Sequence, residues 1–174
     1  MHPLELFKYC PKCGSPHFEV NNEKSKRCAD CGFVYYFNSS AATVAFILND
    51  KNELLVCRRG KEPAKGTLDL SGGFIDMHET GEEGVAREVL EETGLQVEEA
   101  VYQFSLPNTY LYSGFLVHTL DLFFQKTPDS FTHRIQPEFF GIHFIQRKPE
   151  RLRHIIHRLY PAGIFHFTKK EHKL

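Results

Sequence analysis

Residues 72–95 read Gly-Gly-Phe-Ile-Asp-Met-His-Glu-Thr-Gly-Glu-Glu-Gly-Val-Ala-Arg-Glu-Val-Leu-Glu-Glu-Thr-Gly-Leu, and they constrain the fold more than any other stretch. The spacing predicts a helix. Thr80 stands as N-cap with Glu83 three residues on, the pattern of a capping box. Gly94 stands where a left-handed C-terminal residue is usual. At about 100° per residue, Val85, Ala86 and Val89 share a side that can face a core. Glu88, Glu91 and Glu92 share another at i, i+3 and i+4, so their carboxylates are expected to be neighbours. Like charges crowded into the last turns oppose both one another and the helix dipole. A divalent cation removes that conflict, and hard oxygen donors suit Mg²⁺ or Mn²⁺. Gly81 and Gly84 project beside the carboxylates and are expected to clear room for something bulky, each at about 1 kcal/mol relative to alanine. The bland alternative is a solvated acidic face.

These residues resemble the Nudix box of the Nudix hydrolases. The family pattern falls on Gly73, Glu79, Arg87, Glu88, Val89, Glu91, Glu92, Gly94 and Leu95, with every fixed position matched. Many members carry glycine just before the first glutamate, where this chain has His78. The resemblance implies an α+β fold, a Nudix α/β/α sandwich around a mixed β-sheet. It implies that Glu88, Glu91, Glu92 and the Gly72 carbonyl hold Mg²⁺ or Mn²⁺, glycine at 72 letting the chain approach the ion. It also implies that Arg87 orients the carboxylates and pairs with Glu79, and that Glu138 is the later acid that adds a ligand or acts as base. Asp76 and Glu83 read as solvated or structural.

The first module is residues 1–37. Cys10-Pro-Lys-Cys13-Gly and Cys28-Ala-Asp-Cys31-Gly are separated by fourteen residues. That spacing suits four thiolates around one structural Zn²⁺. Disulfides are the alternative, disfavoured without a secretion signal. The module resembles a zinc ribbon. So short a segment cannot bury enough surface alone, so metal binding would supply its folding energy. Lys12, Lys24, Lys26 and Arg27 make it mildly basic. Packing or a homodimer is the expected role, with nucleic-acid contact a lesser one.

The remainder, residues 38–174, is expected to be one Nudix domain. Phe33–Phe37 leaves the ribbon as a strand and Asn38-Ser39-Ser40 reads as a linker. Residues 41–48 form an apolar strand that pairs, through Asn49-Asp50-Lys51-Asn52, with residues 53–59 as a hairpin. Cys57 in that second arm reads as a small half-buried residue. Arg58, Arg59, Lys61 and Lys65 form a basic loop suited to a polyphosphate. Residues 96–104 and 115–124 read as strands, with 105–115 as an aromatic, proline-containing loop whose Tyr110 and Tyr112 could stack on a nucleobase. Residues 126–137 read as a polar loop, 139–145 as a strand, and 149–160 as a helix.

The region around Ser105, Pro107 and Ser113 partly resembles the signature of the NADH pyrophosphatase branch, which also carries a four-cysteine ribbon. The chain has no tryptophan, where that signature has one. The resemblance implies hydrolysis of the diphosphate in a nucleoside diphosphate linked to another moiety, NADH, NAD or ADP-ribose. The alternatives are a housecleaning pyrophosphatase for nucleoside triphosphates and a non-catalytic ligand sensor acting through the ribbon. A net charge of −1 gives no global field toward nucleic acid or membrane. No apolar run approaches a membrane span, and the first residues lack the plan of a signal peptide, so a cytoplasmic protein is expected.

Overall fold

A computed structural model describes residues 2–60, 65–126 and 141–146, with only the backbone at Tyr110 and Lys126. The expected C-terminal helix, nearly all of the 126–137 loop, and Glu138 lie outside the described residues. The element order is β1 (Phe18–Asn22), β2 (Ser25–Cys28), β3 (Val34–Tyr36), β4 (Ser40–Ile47), β5 (Glu53–Arg58), β6 (Leu68–Asp69), α1 (Gly81–Thr93), β7 (Val101–Tyr112), β8 (Phe115–Lys126) and β9 (Ile142–Gln146). They form three three-stranded sheets, ordered β1-β2-β3, β4-β8-β7 and β6-β5-β9. The class is α+β, as the sequence predicts. Among the described residues no helix is long and apolar enough to cross a membrane.

The chain divides into two compact units. One comprises Met1–Ala41 and Pro107–Leu120, the other Ala42–Leu106 and Asp121–Leu174. In the first, β1 and β2 pair antiparallel with Phe18 opposite Cys28, and β3 adds to β2 with Val34 opposite Arg27. Phe18 and Phe33 pack around Cys10, Cys28 and Cys31. Phe7 and Phe37 both meet the edge of Phe115, at centroid distances of 5.7 and 5.8 Å. The tip of the β7–β8 hairpin is therefore part of the ribbon's hydrophobic packing.

In the second unit, strands buried on both faces divide their side chains by parity. Phe46 of β4 and Leu48 just beyond it join Leu54, Val56, Leu70 and Phe123 in one cluster. Their neighbours Ala45 and Ile47 join Leu55, Val85, Val89, Leu95 and Phe124 in another. The second cluster is the seat of α1. Val85 and Val89 are 1% and 0% exposed, so the predicted apolar stripe is the buried one. Both caps form as predicted: Thr80 and Glu83 make a reciprocal capping box, and Gly94 closes the helix at φ 72°.

Three expectations are corrected. The loop at 105–115 is strand: β7 runs unbroken to Tyr112 and turns through Ser113 and Gly114, at φ 50° and 75°. Pro107 is tolerated because β7 is an edge strand, whose outer amides need no ladder partner. The strand expected from residue 96 begins only at Val101. Third, β4 and β5 do not form a hairpin. They meet only at a Leu48–Leu54 bridge, after which β4 pairs with β8, and β5 with β6 and β9. The Asn49 side chain accepts from the amides of Lys51 and Glu53, and Asn52 adopts φ 58°, so the turn hands the chain from one sheet to the next.

Candidate functional site

The box is a strap lying against β4, followed by a turn and the helix. The Thr43 amide donates to the Gly73 carbonyl and the Ala45 amide to the Ser71 carbonyl, both at 2.8 Å, holding the strap on either side of Gly72. A Cβ at Gly72 would stand 2.1 Å from the Thr43 carbonyl oxygen. Glycine is thus required at 72 by the neighbouring strand. A Cβ at Gly73 would stand 2.5 Å from the Glu88 carboxylate, so the bare glycine makes the cradle in which that carboxylate lies. The room expected at Gly81 and Gly84 is taken by protein. Added Cβ atoms there would meet Phe124 at 2.8 Å and Ile75 at 3.3 Å. These two glycines let the helix pack closely; they do not open space for a ligand.

Arg87 is the hub of the polar cluster. Its Nε and Nη2 donate to the two oxygens of Glu79 at 2.7 and 3.0 Å, Nη1 donates to Glu88 Oε1 at 2.8 Å, and Nη2 to the Phe74 carbonyl at 2.9 Å. Glu91 and Asp76 lie further off, at 3.6 and 3.8 Å. The Arg87 hydrogen bonds, followed by that from the Asp76 amide, hold the Glu79 carboxyl down to about 2. His78, just before it, adopts φ 73°, the left-handed conformation for which glycine is the natural residue. The turn therefore keeps its shape despite the substitution.

Glu92 is placed differently. Its Oε2 accepts from the Ser71 hydroxyl at 2.8 Å and from the Gly72 amide at 3.1 Å. The side chain is open to solvent along part of its length, but protein packed round the carboxylate raises its pKa. That desolvation is the largest cause; the two hydrogen bonds oppose it, and the charges of Glu88 and Asp69 add to it. The three helix carboxylates share a face but do not converge as tightly as expected. Among the described residues, the four cysteines are the one set of three or more such ligands gathered within 4.8 Å. Like charges separate: Glu88 and Glu91 turn to Arg87, Glu92 to Ser71.

The sequence reading missed Ser71 and Asp69. Asp69 pairs with Arg59 at 2.8 Å, and Arg58 donates through Nη1 to the Gly66 carbonyl at 2.6 Å. Both expected substrate cations are thus already bonded to protein, at Gly66 and Asp69. Cys57, opposite Asp69 on β5, has its thiol pushed up to about 12, first by burial and then by the charge of Glu92. Tyr112 stands 64% exposed in the other unit, on β7. The side chain of Tyr110 and all of Glu138 lie outside the described residues.

In that first unit Cys10, Cys13, Cys28 and Cys31 converge. The Cys10–Cys31 and Cys13–Cys28 sulfur distances are both 3.7 Å. Four thiolates at 2.3 Å around a tetrahedral Zn²⁺ stand about 3.8 Å apart, while a disulfide requires about 2.05 Å. The set is shaped for zinc. Gly14 and Gly32, at φ 73° and 72°, turn their amides back to the carbonyls of Cys10 and Cys28 and make the two knuckles alike. Cys28 is pulled down to about 6, first by the Cys31 amide. Cys13 is pushed up to about 12, lowering by the Ser15 amide being outweighed by desolvation and its sulfur neighbours, Cys31 first.

Residues 38–157 match the NUDIX domain family, and the chain belongs to it. Among curated relatives, the NAD-capped RNA hydrolase NudC of Vibrio parahaemolyticus is 26% identical over 141 residues, covering 81% of this chain and 54% of the relative. The NudC of Deinococcus radiodurans is 31% identical over 118 residues, covering 66% of this chain and 41% of its own length. The chain therefore spans about half the length of the curated relatives it matches. A MutT NUDIX hydrolase from Burkholderia pseudomallei has a similar fold, with a TM-score of 0.51, 22% identity, and coverage of 63% of this chain and 84% of that one.

Proposed function

We propose that this chain is a divalent-metal-dependent hydrolase that splits the diphosphate linkage of a nucleoside diphosphate joined to another moiety, of the NADH, NAD or ADP-ribose type. The observation that carries the reading is the box geometry. Glu88 lies in the cradle left by Gly73, Arg87 locks it to Glu79, and Glu92 reaches the strap at Ser71 and Gly72. Glu88, Glu91, Glu92 and the Gly72 carbonyl would hold Mg²⁺ or Mn²⁺, whose preference for oxygen donors they meet. When bound, such ions neutralise diphosphate charge and lower the pKa of a coordinated water.

The chain's own residues do the positioning. Arg87, with four hydrogen bonds to Glu79, Glu88 and the Phe74 carbonyl, fixes the turn against the helix. The strap is held on β4 through the Ser71 and Gly73 carbonyls, on either side of Gly72. One carboxylate must take the proton of the attacking water; Glu138 and the box glutamates are the candidates, and single substitutions separate them. The zinc ribbon supplies structure, its metal closed by four sulfurs. Support for an NAD-type substrate comes from the relatives, which are named NAD-capped RNA hydrolases. A cytoplasmic location belongs to the same reading.

The test is a panel of NADH, NAD⁺, ADP-ribose, FAD, diadenosine polyphosphates, 8-oxo-dGTP and NAD-capped RNA, with Mg²⁺ or Mn²⁺ and identification of products. A dinucleotide cleaved into two phosphate-bearing products is the expected result. Preference for 8-oxo-dGTP would replace it with the housecleaning role, and tight binding without turnover with a sensor.

A further inference from the structure

The buried hydroxyl of Ser71 is bonded to Glu92. Ser71 is 0% exposed. Its carbonyl is committed to the Ala45 amide, so its position on the strap is fixed. Its hydroxyl donates to Glu92 Oε2 at 2.8 Å, and the next residue's amide donates to the same oxygen at 3.1 Å. Two donors on one oxygen of a carboxylate that comes from another element hold that oxygen against the strap. Every hydrogen bond to the Glu92 carboxylate from the described residues falls on Oε2, and Oε1 is left for another partner.

We propose that Ser71 is a positioning residue that makes Glu92 a single-oxygen metal ligand, holding Oε2 against the strap and presenting Oε1 to the ion. Glu88 is oriented in a parallel way by Arg87, which takes its Oε1. Each of these two carboxylates is thus tied by one oxygen, Glu92 to the strap and Glu88 to Arg87 of its own helix. The arrangement needs a hydroxyl of serine size at 71. Ser71 itself is closed to solvent, and its backbone is bonded to β4.

The inference rests on the reading of Glu92 as a ligand, and the test separates the two. Mn²⁺ binding is measured by electron paramagnetic resonance on full-length, zinc-loaded wild type, Ser71→Ala, Ser71→Thr and Glu92→Gln, with melting curves as the folding control. Loss of such a supporting hydrogen bond weakens metal binding about 10- to 100-fold. Ser71→Ala is expected to weaken Mn²⁺ by that factor and to raise the metal concentration for half-maximal activity in step. At saturating metal, kcat should recover to within a few-fold, and Ser71→Thr should restore part of the affinity. If Ser71→Ala binds Mn²⁺ as wild type does while Glu92→Gln does not, the positioning role is overturned and the ligand reading stands. If Glu92→Gln also binds normally, the ligand reading falls and this proposal with it. Should Ser71→Ala not fold, Ser71→Cys replaces it, keeping the shape with a weaker donor, and unchanged Mn²⁺ affinity there overturns the proposal equally.

Discussion

Arg87 and Glu79 meet fork to fork, Nε to Oε1 at 2.7 Å and Nη2 to Oε2 at 3.0 Å, across the turn that leads into the helix. The same guanidinium holds Glu88, so one planar group registers two carboxylates against each other. A lysine offers a point charge without that fork. Arg87→Lys is therefore expected to lower kcat/KM about 10- to 100-fold, in the range seen when residues supporting a metal site are removed. Steady-state kinetics check it, and a fully active Arg87→Lys would refute the registering role.

The pair also sets a pH dependence. Glu79 is held at about 2, below its ordinary value of 4.5. A depressed carboxylate contributes stability that is fully present above the unfolded pKa and is lost as pH falls through the folded one. Wild type should therefore lose stability more steeply than Glu79→Gln between about pH 4.5 and 2. Denaturant midpoints across that range measure it; parallel curves would contradict the assignment.

His78 is strained where glycine would not be. Its φ of 73° is adopted by L-residues at a cost of about 1 kcal/mol. His78→Gly should be neutral to stabilising by up to about that amount, after the greater entropy of glycine in the unfolded chain is subtracted. Thermal melting decides it. Gly73→Ala should behave oppositely: its methyl would fall 2.5 Å from the Glu88 carboxylate, so activity should drop at least tenfold with the fold retained.

The ribbon should be metal-built. Its sulfurs lie 3.7 Å apart across each pair, and its core consists of Cys10, Cys28, Phe18 and a few half-buried neighbours. Purified protein should carry stoichiometric zinc. A strong chelator should release it with loss of the ribbon's ordered amide signals. Zinc-free protein with the same spectrum would contradict this.

What the sequence made legible is local. The capping pattern of Thr80 and Glu83 and the stop at Gly94 are written within one stretch, and the helix runs Gly81–Thr93 between them. The cysteine spacing carries the ribbon in the same way. Long-range pairing is not so written. The apolar runs of β4 and β5 look like a hairpin, yet each has residues for two cores, and their true partners β8 and β9 lie far along the chain. Pro107 and Asn108 suggested a loop because edge position, which excuses a proline, shows only in the assembled sheet. The Ser113-Gly114 dipeptide, flanked by alternating aromatic and aliphatic residues, was the available hairpin signal. Ser71 could not be singled out, since a serine before two glycines says nothing about which carboxylate will reach it.

The central claim is that the box glutamates form a catalytic divalent-metal site, and the most direct measurement is NADH hydrolysis by wild type and Glu92→Gln, each with and without Mg²⁺ or Mn²⁺. Wild type is expected to cleave NADH into two mononucleotides, with activity that vanishes on chelation and falls at least about 100-fold in Glu92→Gln, zinc content and melting being unchanged. Metal-independent cleavage, or a Glu92→Gln variant as active as wild type, would contradict it.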